Sequence, residues 1–177
     1  IDAHQAVQEQ KLVERRVARA LQAIGEDLTT ASVWDDAVDH MTGAGDVAWW
    51  DRHLGGYYEA QSKLPVTLGY DDAGRLFRIS KNGGPAGADA ADPFAQSARP
   101  IVDALRAAAA RRDRSTVALD AVTLKPAIVK VNGTVYLMGT STIVRHTLKG
   151  QVPTSDPAVA SFRRFETIVP QIHDRLG

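Results

Sequence analysis

Apolar residues recur every three or four positions through the first forty residues. Val13, Val17, Leu21, Ile24, Leu28, Ala31, Val38 and Met41 keep that spacing, apart from the step across Trp34 and Asp35. This is the 3.6-residue period of an amphipathic helix. Glu14, Arg15, Arg19, Gln22 and Glu26 occupy its other face. A helix of about 38 residues would run about 57 Å at 1.5 Å per residue. That is longer than the globule it leads into, so part of it is expected to pack on a second copy of the chain. Gly25 or the Thr29-Thr30 pair are the points at which it would bend. Met41-Thr42-Gly43-Ala44-Gly45 ends it. Asp46 then caps a short helix carrying Val47, Trp49, Trp50 and Leu54, which Gly55-Gly56 stops.

The period then changes from helical to alternating. Val66, Leu68 and Tyr70 alternate with small or polar residues, Asp71-Asp72-Ala73-Gly74 reads as a turn, and residues 75–80 return as a strand. Residues 82–92 are a loop of small residues. Asp92-Pro93 opens a helix to about Arg112, which Pro100 is expected to divide or kink. Strands are expected over 116–123, 127–131 and 134–145, the last two joined by the Asn132-Gly133 hairpin turn. Residues 151–157 read as a loop, 158–165 as a last strand, and 167–177 as a helix. Consecutive hairpins imply an antiparallel sheet. Helices packed on one side of it make an α+β domain.

Composition changes this picture little. The chain has 177 residues, 44% hydrophobic and 24% charged, the mix of one globular domain. Its 21 basic and 21 acidic side chains cancel, so the basic excess of a nucleic-acid binder is absent. It contains no cysteine, which removes disulfides, thiolate nucleophiles and zinc–thiolate sites together. The chain begins at Ile1 in one helical pattern and ends at Gly177 in another, as expected of a segment between flanking spans.

Candidate chemistry is concentrated in the aromatic residues. Trp34, Asp35 and Asp36 fall where the long helix would reach the sheet. An aromatic wall with a carboxylate suits a cationic or amine ligand. It equally suits a core tryptophan whose acidic neighbours bond a backbone amide or an arginine. Trp49, Trp50, Tyr57 and Tyr58 are a dense cluster in a chain with only 6% aromatics, either a pocket wall or the anchor of short helices to the sheet. Tyr70, Lys81, Lys130, Tyr136 and Arg145 lie on strands or strand ends. If they share a cavity, a carboxylate ligand would want one of the cations; each taken alone is an exposed strand residue. The ligand-binding set is therefore expected among Trp34, Asp35, Trp50, Tyr57, Tyr70, Lys130 and Tyr136. Asp36 and His40 share a helix face, with Asp39 beside them and His53 within possible reach. A metal site is conceivable there, and a solvated polar face is the simpler reading. Gly83-Gly84-Pro85-Ala86-Gly87 lacks the Gly-Lys-Ser/Thr of a phosphate loop. Gly139-Thr140-Ser141-Thr142 lacks the nucleophile elbow of a hydrolase. No catalytic residue, metal or cofactor is assigned.

Four segments in series carry a likeness. The first is Asp27-Leu28-Thr29-Thr30-Ala31-Ser32-Val33-Trp34-Asp35-Asp36-Ala37. The second is the helix Trp49-Trp50-Asp51-Arg52-His53-Leu54. The third is the strand–turn–strand unit Leu68-Gly69-Tyr70-Asp71-Asp72-Ala73-Gly74-Arg75-Leu76, and the fourth is the run from Pro126 to Leu137. In this order they resemble the CHASE domain of the fourth type, an extracellular sensory module of bacterial diguanylate cyclases, phosphodiesterases and histidine kinases. The resemblance covers most of residues 10–170. It implies a Cache- or PAS-like fold, a transmembrane helix on each side and a small ligand. Leu68-Gly69-Tyr70 departs from the family, where a more aliphatic strand is expected; this marks a ligand face or a sheet contact.

The chain is thus expected to be one α+β domain. Residues 1–42 would form a long signalling and dimerisation helix, 43–165 a PAS/Cache-like antiparallel sheet flanked by helices, and 166–177 a helix toward the membrane. The expected function is that of a non-catalytic extracytoplasmic sensor, binding a small molecule, forming a homodimer through the N-terminal helix, and tethered to the bacterial inner membrane. Two alternatives stand beside it. One is a small periplasmic hydrolase or metal-dependent enzyme using Asp36, His40 and His53. The other is a ligand-free interaction domain presenting its aromatic cluster.

Overall fold

The computed structural model describes residues 2–112, 121–146 and 155–165. Helix α1 spans Ala3–Thr29, with the Asp2 carboxylate accepting from the N–H groups of His4 and Gln5. The helix expected to continue to residue 42 ends at Thr29. Thr29, Thr30 and Ser32 turn their hydroxyls back onto the carbonyls of Gly25, Asp27 and Leu28, at 2.7–2.8 Å. These bonds occupy carbonyls of the final turn and favour an exit from the helix. Val33 then forms a parallel bridge with Val144, which draws the chain alongside the strand region. Helix α2, Asp35–Met41, starts afresh. The apolar period survives the break because Ala37, Val38 and Met41 of α2 join the same core as Ile24 and Leu28 of α1.

Helix α3, Val47–His53, is capped as expected by Asp46, which accepts from the Trp49 N–H at 3.0 Å. Helix α4, Tyr57–Ser62, was not expected: six residues directly after Gly55-Gly56 carry too short a pattern to declare a helix. It stops at Lys63, which takes a left-handed backbone (φ 56°).

Among the described residues six strands follow: β1 Val66–Tyr70, β2 Leu76–Lys81, β3 Gly84–Pro85, β4 Leu124–Val131, β5 Thr134–Thr142 and β6 Ala158–Arg164. They form one antiparallel sheet in the order β3-β2-β1-β6-β5-β4. Asn132 and Gly133 both take positive φ, as a tight hairpin turn requires. Pro126 is tolerated because β4 is an edge strand, where a missing donor breaks no ladder. Between β3 and β4 runs helix α5, Pro93–Ala110. Pro100 does not divide it; the residue is exposed, so the carbonyl it leaves without an amide partner can bond water. Most of the strand expected over 116–123 and the whole terminal helix lie outside the described residues. Ala121, Val122 and Thr123 are not part of a strand, although Thr123 and Thr142 exchange two hydrogen bonds beside the start of β4.

Helices cover both faces of the sheet rather than one. On one face Val66, Leu68 and Tyr70 of β1 and Ala158, Ala160 and Phe162 of β6 pack against the Ala95, Ala98, Val102 and Leu105 stripe of α5. On the other, Leu137 and Val159 pack with Ile24, Leu28, Trp50 and Tyr58 of α1, α3 and α4. The second face was hard to read from β1 because its inward positions are Thr67 and Gly69. Thr67 bonds Ser161 across the strands at 2.8 Å. Gly69 is the seat of the Trp50 indole: a Cβ there would come within 2.8 Å of the ring. The β1–β2 ladder also slips between Gly69 and Tyr70, leaving Phe77 as an extra residue. Phe77 then meets Trp50 edge-on at 5.5 Å, and Arg78 reaches Asp51 of the same helix α3.

Candidate ligand cavity

A cavity of about 210 Å³ opens between α5 and the β1–β2 end of the sheet. It is lined by Tyr70 and Leu76 from the strands, Ala95, Gln96 and Arg99 from α5, and Ala90 from the preceding loop. Strand alternation puts Tyr70 on this face. The small residues at 90 and 95 leave the space. Asp92 fixes the start of α5 twice over: it accepts from the Phe94 N–H at 2.9 Å and from Lys81 Nζ of β2 at 2.6 Å. Phe94 in turn packs edge-on to Tyr136 and Phe162, at 5.1 and 5.0 Å, which pins the same end of the helix to β5 and β6.

Tyr70 is the buried polar residue of the lining, whereas Gln96 and Arg99 are exposed. Tyr70 is 2% exposed, and among the described residues its hydroxyl has no hydrogen-bond partner. A buried polar group without a partner costs roughly 1–3 kcal/mol. Burial pushes the phenol pKa well above its usual value, with Arg99 pulling it down and Asp103 pushing it up. The hydroxyl therefore stays a neutral donor near neutral pH, and both charges on α5 are close enough to be felt there. Arg99 is largely exposed and shares its charge with Asp103 one turn on, at 3.5 Å.

The residues expected at a ligand site fall on both faces of the sheet. Tyr70 lines the cavity. Tyr136 lies on the same face, against Phe94 and Phe162 rather than in the lining. Lys130 is exposed on the edge strand. The other four lie across the sheet. Trp50 is fully buried, its Nε1–H donating to Ser80 Oγ at 3.0 Å. Tyr57 packs on Tyr58 and meets Thr30 through its hydroxyl. Trp34 packs on Trp49 at 5.2 Å, and Asp35 accepts from the His146 N–H at 2.7 Å. Lys81 is held by Asp92, and Arg145 by Asp39. Gln96, Arg99, Leu76, Ala95 and Ala90 escaped the sequence reading. The available signal was the stripe of small residues on the buried face of α5, which says that the helix fills little volume but not where the gap falls.

The alternative metal centre needed Asp36, His40 and His53 to converge. Instead His40 stacks on Trp49 at 4.8 Å and bonds Asp46 at 3.0 Å, while His53 packs on Trp49 at 5.0 Å. The Trp49 N–H first, and then the His40 side chain, hold the Asp46 carboxyl below its ordinary pKa. Among the described residues no group of three His, Asp or Glu side chains stands ready to hold a metal.

A family model of the CHASE4 domain matches residues 17–167. The chain belongs to the CHASE4 domain family. CHASE4 domains are sensory rather than catalytic, and CHASE-family domains are extracytoplasmic sensors. The match begins within α1 and takes in the whole of α2 to α5 and of β1 to β6, so the cavity lies inside the CHASE4 domain. No curated protein shows significant similarity to the chain. No helix among the described residues is long and apolar enough to cross a membrane.

Proposed function

We propose that this CHASE4 domain is the ligand-sensing module of a membrane-anchored bacterial signalling protein, and that a small molecule occupies the cavity beside Tyr70. The observation that carries the reading is Tyr70, a residue of the cavity lining whose buried hydroxyl has no hydrogen-bond partner among the described residues. A polar group kept dry without a partner is a donor waiting for an acceptor. The packed tryptophan layer on the other face supports the same choice over an interaction surface built from Trp49 and Trp50, since both are buried.

The route outward is short. Tyr70 pairs with Ala158 at the start of β6, and Val66 with Phe162 near its end. At that end Arg163 bonds Asp27 on α1 and the Ser62 carbonyl of α4. An occupant that favours one seating of β1 thereby favours one seating of β6 against α1. The N-terminal half of α1 holds Val7, Leu12 and Val13 at 50%, 39% and 43% exposure, which suits a second copy packed along the helix. The output domain downstream would be a cyclase, phosphodiesterase or kinase.

The test is a thermal-shift screen of small metabolites on the isolated chain. A ligand at 100 times its Kd adds about 2.7 kcal/mol, a rise of roughly 5–10 °C for a domain of this size. Hits that Tyr70→Trp abolishes support the cavity; hits indifferent to it place binding elsewhere and overturn the reading.

A further inference from the structure

Resting on the sensor reading above, we propose that the ligand is a small anion: a carboxylate on an apolar body about the size of one ring. The polar side chains among the lining residues are Tyr70, Gln96 and Arg99, and no lining residue is acidic. The hydroxyl and the guanidinium donate, and the amide has two N–H donors. Such a set matches oxygen atoms bearing negative charge. A cationic ligand would face Arg99 with no lining carboxylate to offset it. Asp103 is paired with Arg99 at 3.5 Å, Asp92 with Lys81 at 2.6 Å, and Asp89, next to Ala90, accepts from the Ala91 N–H. Leu76, Ala90, Ala95 and the Tyr70 ring supply the apolar part of the lining.

Volume sets the size of the body. A cavity of about 150 Å³ holds benzene, and this one is about 210 Å³. One six-membered ring or a short alkyl chain fits, with room for a carboxylate at the Arg99 end. One carboxylate oxygen would accept from Tyr70, and the other would take a guanidinium N–H now turned to Asp103.

Isothermal titration of the intact chain with benzoate, hexanoate, benzyl alcohol and benzylamine tests this. Benzoate or hexanoate is expected to bind at least about tenfold tighter than benzyl alcohol, as a hydrogen bond to a charged group implies, and benzylamine not at all. Arg99→Gln, an exposed position, should erase the advantage of benzoate over benzyl alcohol. Tyr70→Phe, which keeps the ring, should weaken benzoate by about fivefold or more. Benzyl alcohol or benzylamine binding as well as the acids overturns the anion assignment and leaves the cavity as a sensor site. Arg99→Gln binding benzoate as the parent does also overturns it. No heat from any probe at millimolar concentration overturns both the anion and the cavity.

Discussion

Arg163, at the end of β6, donates to the Asp27 carboxylate of α1 at 2.9 Å, and the same guanidinium group bonds the Ser62 carbonyl of α4. One side chain therefore ties the last strand of the sheet to the helix that enters the domain. Both residues are partly buried, so the pair is screened less than a surface ion pair.

Arg163→Ala is expected to cost about 1.5–3 kcal/mol, because it strips partners from a carboxylate and a carbonyl that are both partly enclosed. Asp27→Asn should cost less, about 0.5–1.5 kcal/mol, since the amide oxygen still accepts. The double variant in a urea-denaturation cycle should show a coupling of at least about 0.5 kcal/mol. Additive losses would mean that the contact does not join α1 to β6 energetically.

Gly69→Ala should destabilise the domain by about 1–3 kcal/mol, the usual cost of overpacking. Its Cβ would lie 2.8 Å from Trp50, in a ring buried on all sides. Thermal denaturation gives the loss, and the near-ultraviolet dichroism of the tryptophans should change with it. An unchanged melting temperature would refute this account of the β1–α3 contact.

Raising the pH should unfold the domain earlier than exposed tyrosines alone would allow. Tyr58 and Tyr70 both have phenol pKa values pushed upward, chiefly by burial. Above the ordinary phenol value of 10.0 the unfolded chain loses these protons while the folded chain keeps them. The unfolded state then binds fewer protons, so stability falls as pH rises through that range and is fully present below it. Each group contributes a slope of about 1.4 kcal/mol per pH unit. In a titration at alkaline pH, two of the four tyrosines should ionise only with unfolding, and Tyr58→Phe should reduce the slope by about half.

Leu12→Glu with Val13→Glu tests the second copy proposed along α1. Both residues are exposed in the single chain, so stability at low concentration should change by less than about 0.5 kcal/mol. Sedimentation of the parent should show a dimer that the double variant dissociates. A parent that stays monomeric at high concentration removes the idea.

Much of this fold is legible in local pattern. Asp46 before Trp49, Asp92-Pro93, Asp71 to Gly74 and Asn132-Gly133 each carry the chemistry of a cap or turn, and each appears where that chemistry puts it. What failed depended on distant partners. The end of α1 owes as much to Val144 pairing with Val33 as to the Thr29 and Thr30 hydroxyls. Trp50, which suited a pocket wall or a helix anchor equally, packs on a glycine nineteen residues on, invisible to any helical or strand period. The cavity is what remains where α5 fails to fill its side of β1, so it is written in the small side chains at 90 and 95 rather than in any motif.

Leu68-Gly69-Tyr70 is less aliphatic than the resemblance led one to expect, and the structure gives Gly69 and Tyr70 each a place. Gly69 receives Trp50 in one layer, and Tyr70 lines the hollow in the other. Neighbours on a strand share a peptide bond, so whatever shifts the phenol also shifts the floor beneath the indole. On the proposed sensor reading, Trp50 emission should therefore change with occupancy of the cavity, a native optical gauge read through the thickness of a single strand and needing no attached dye.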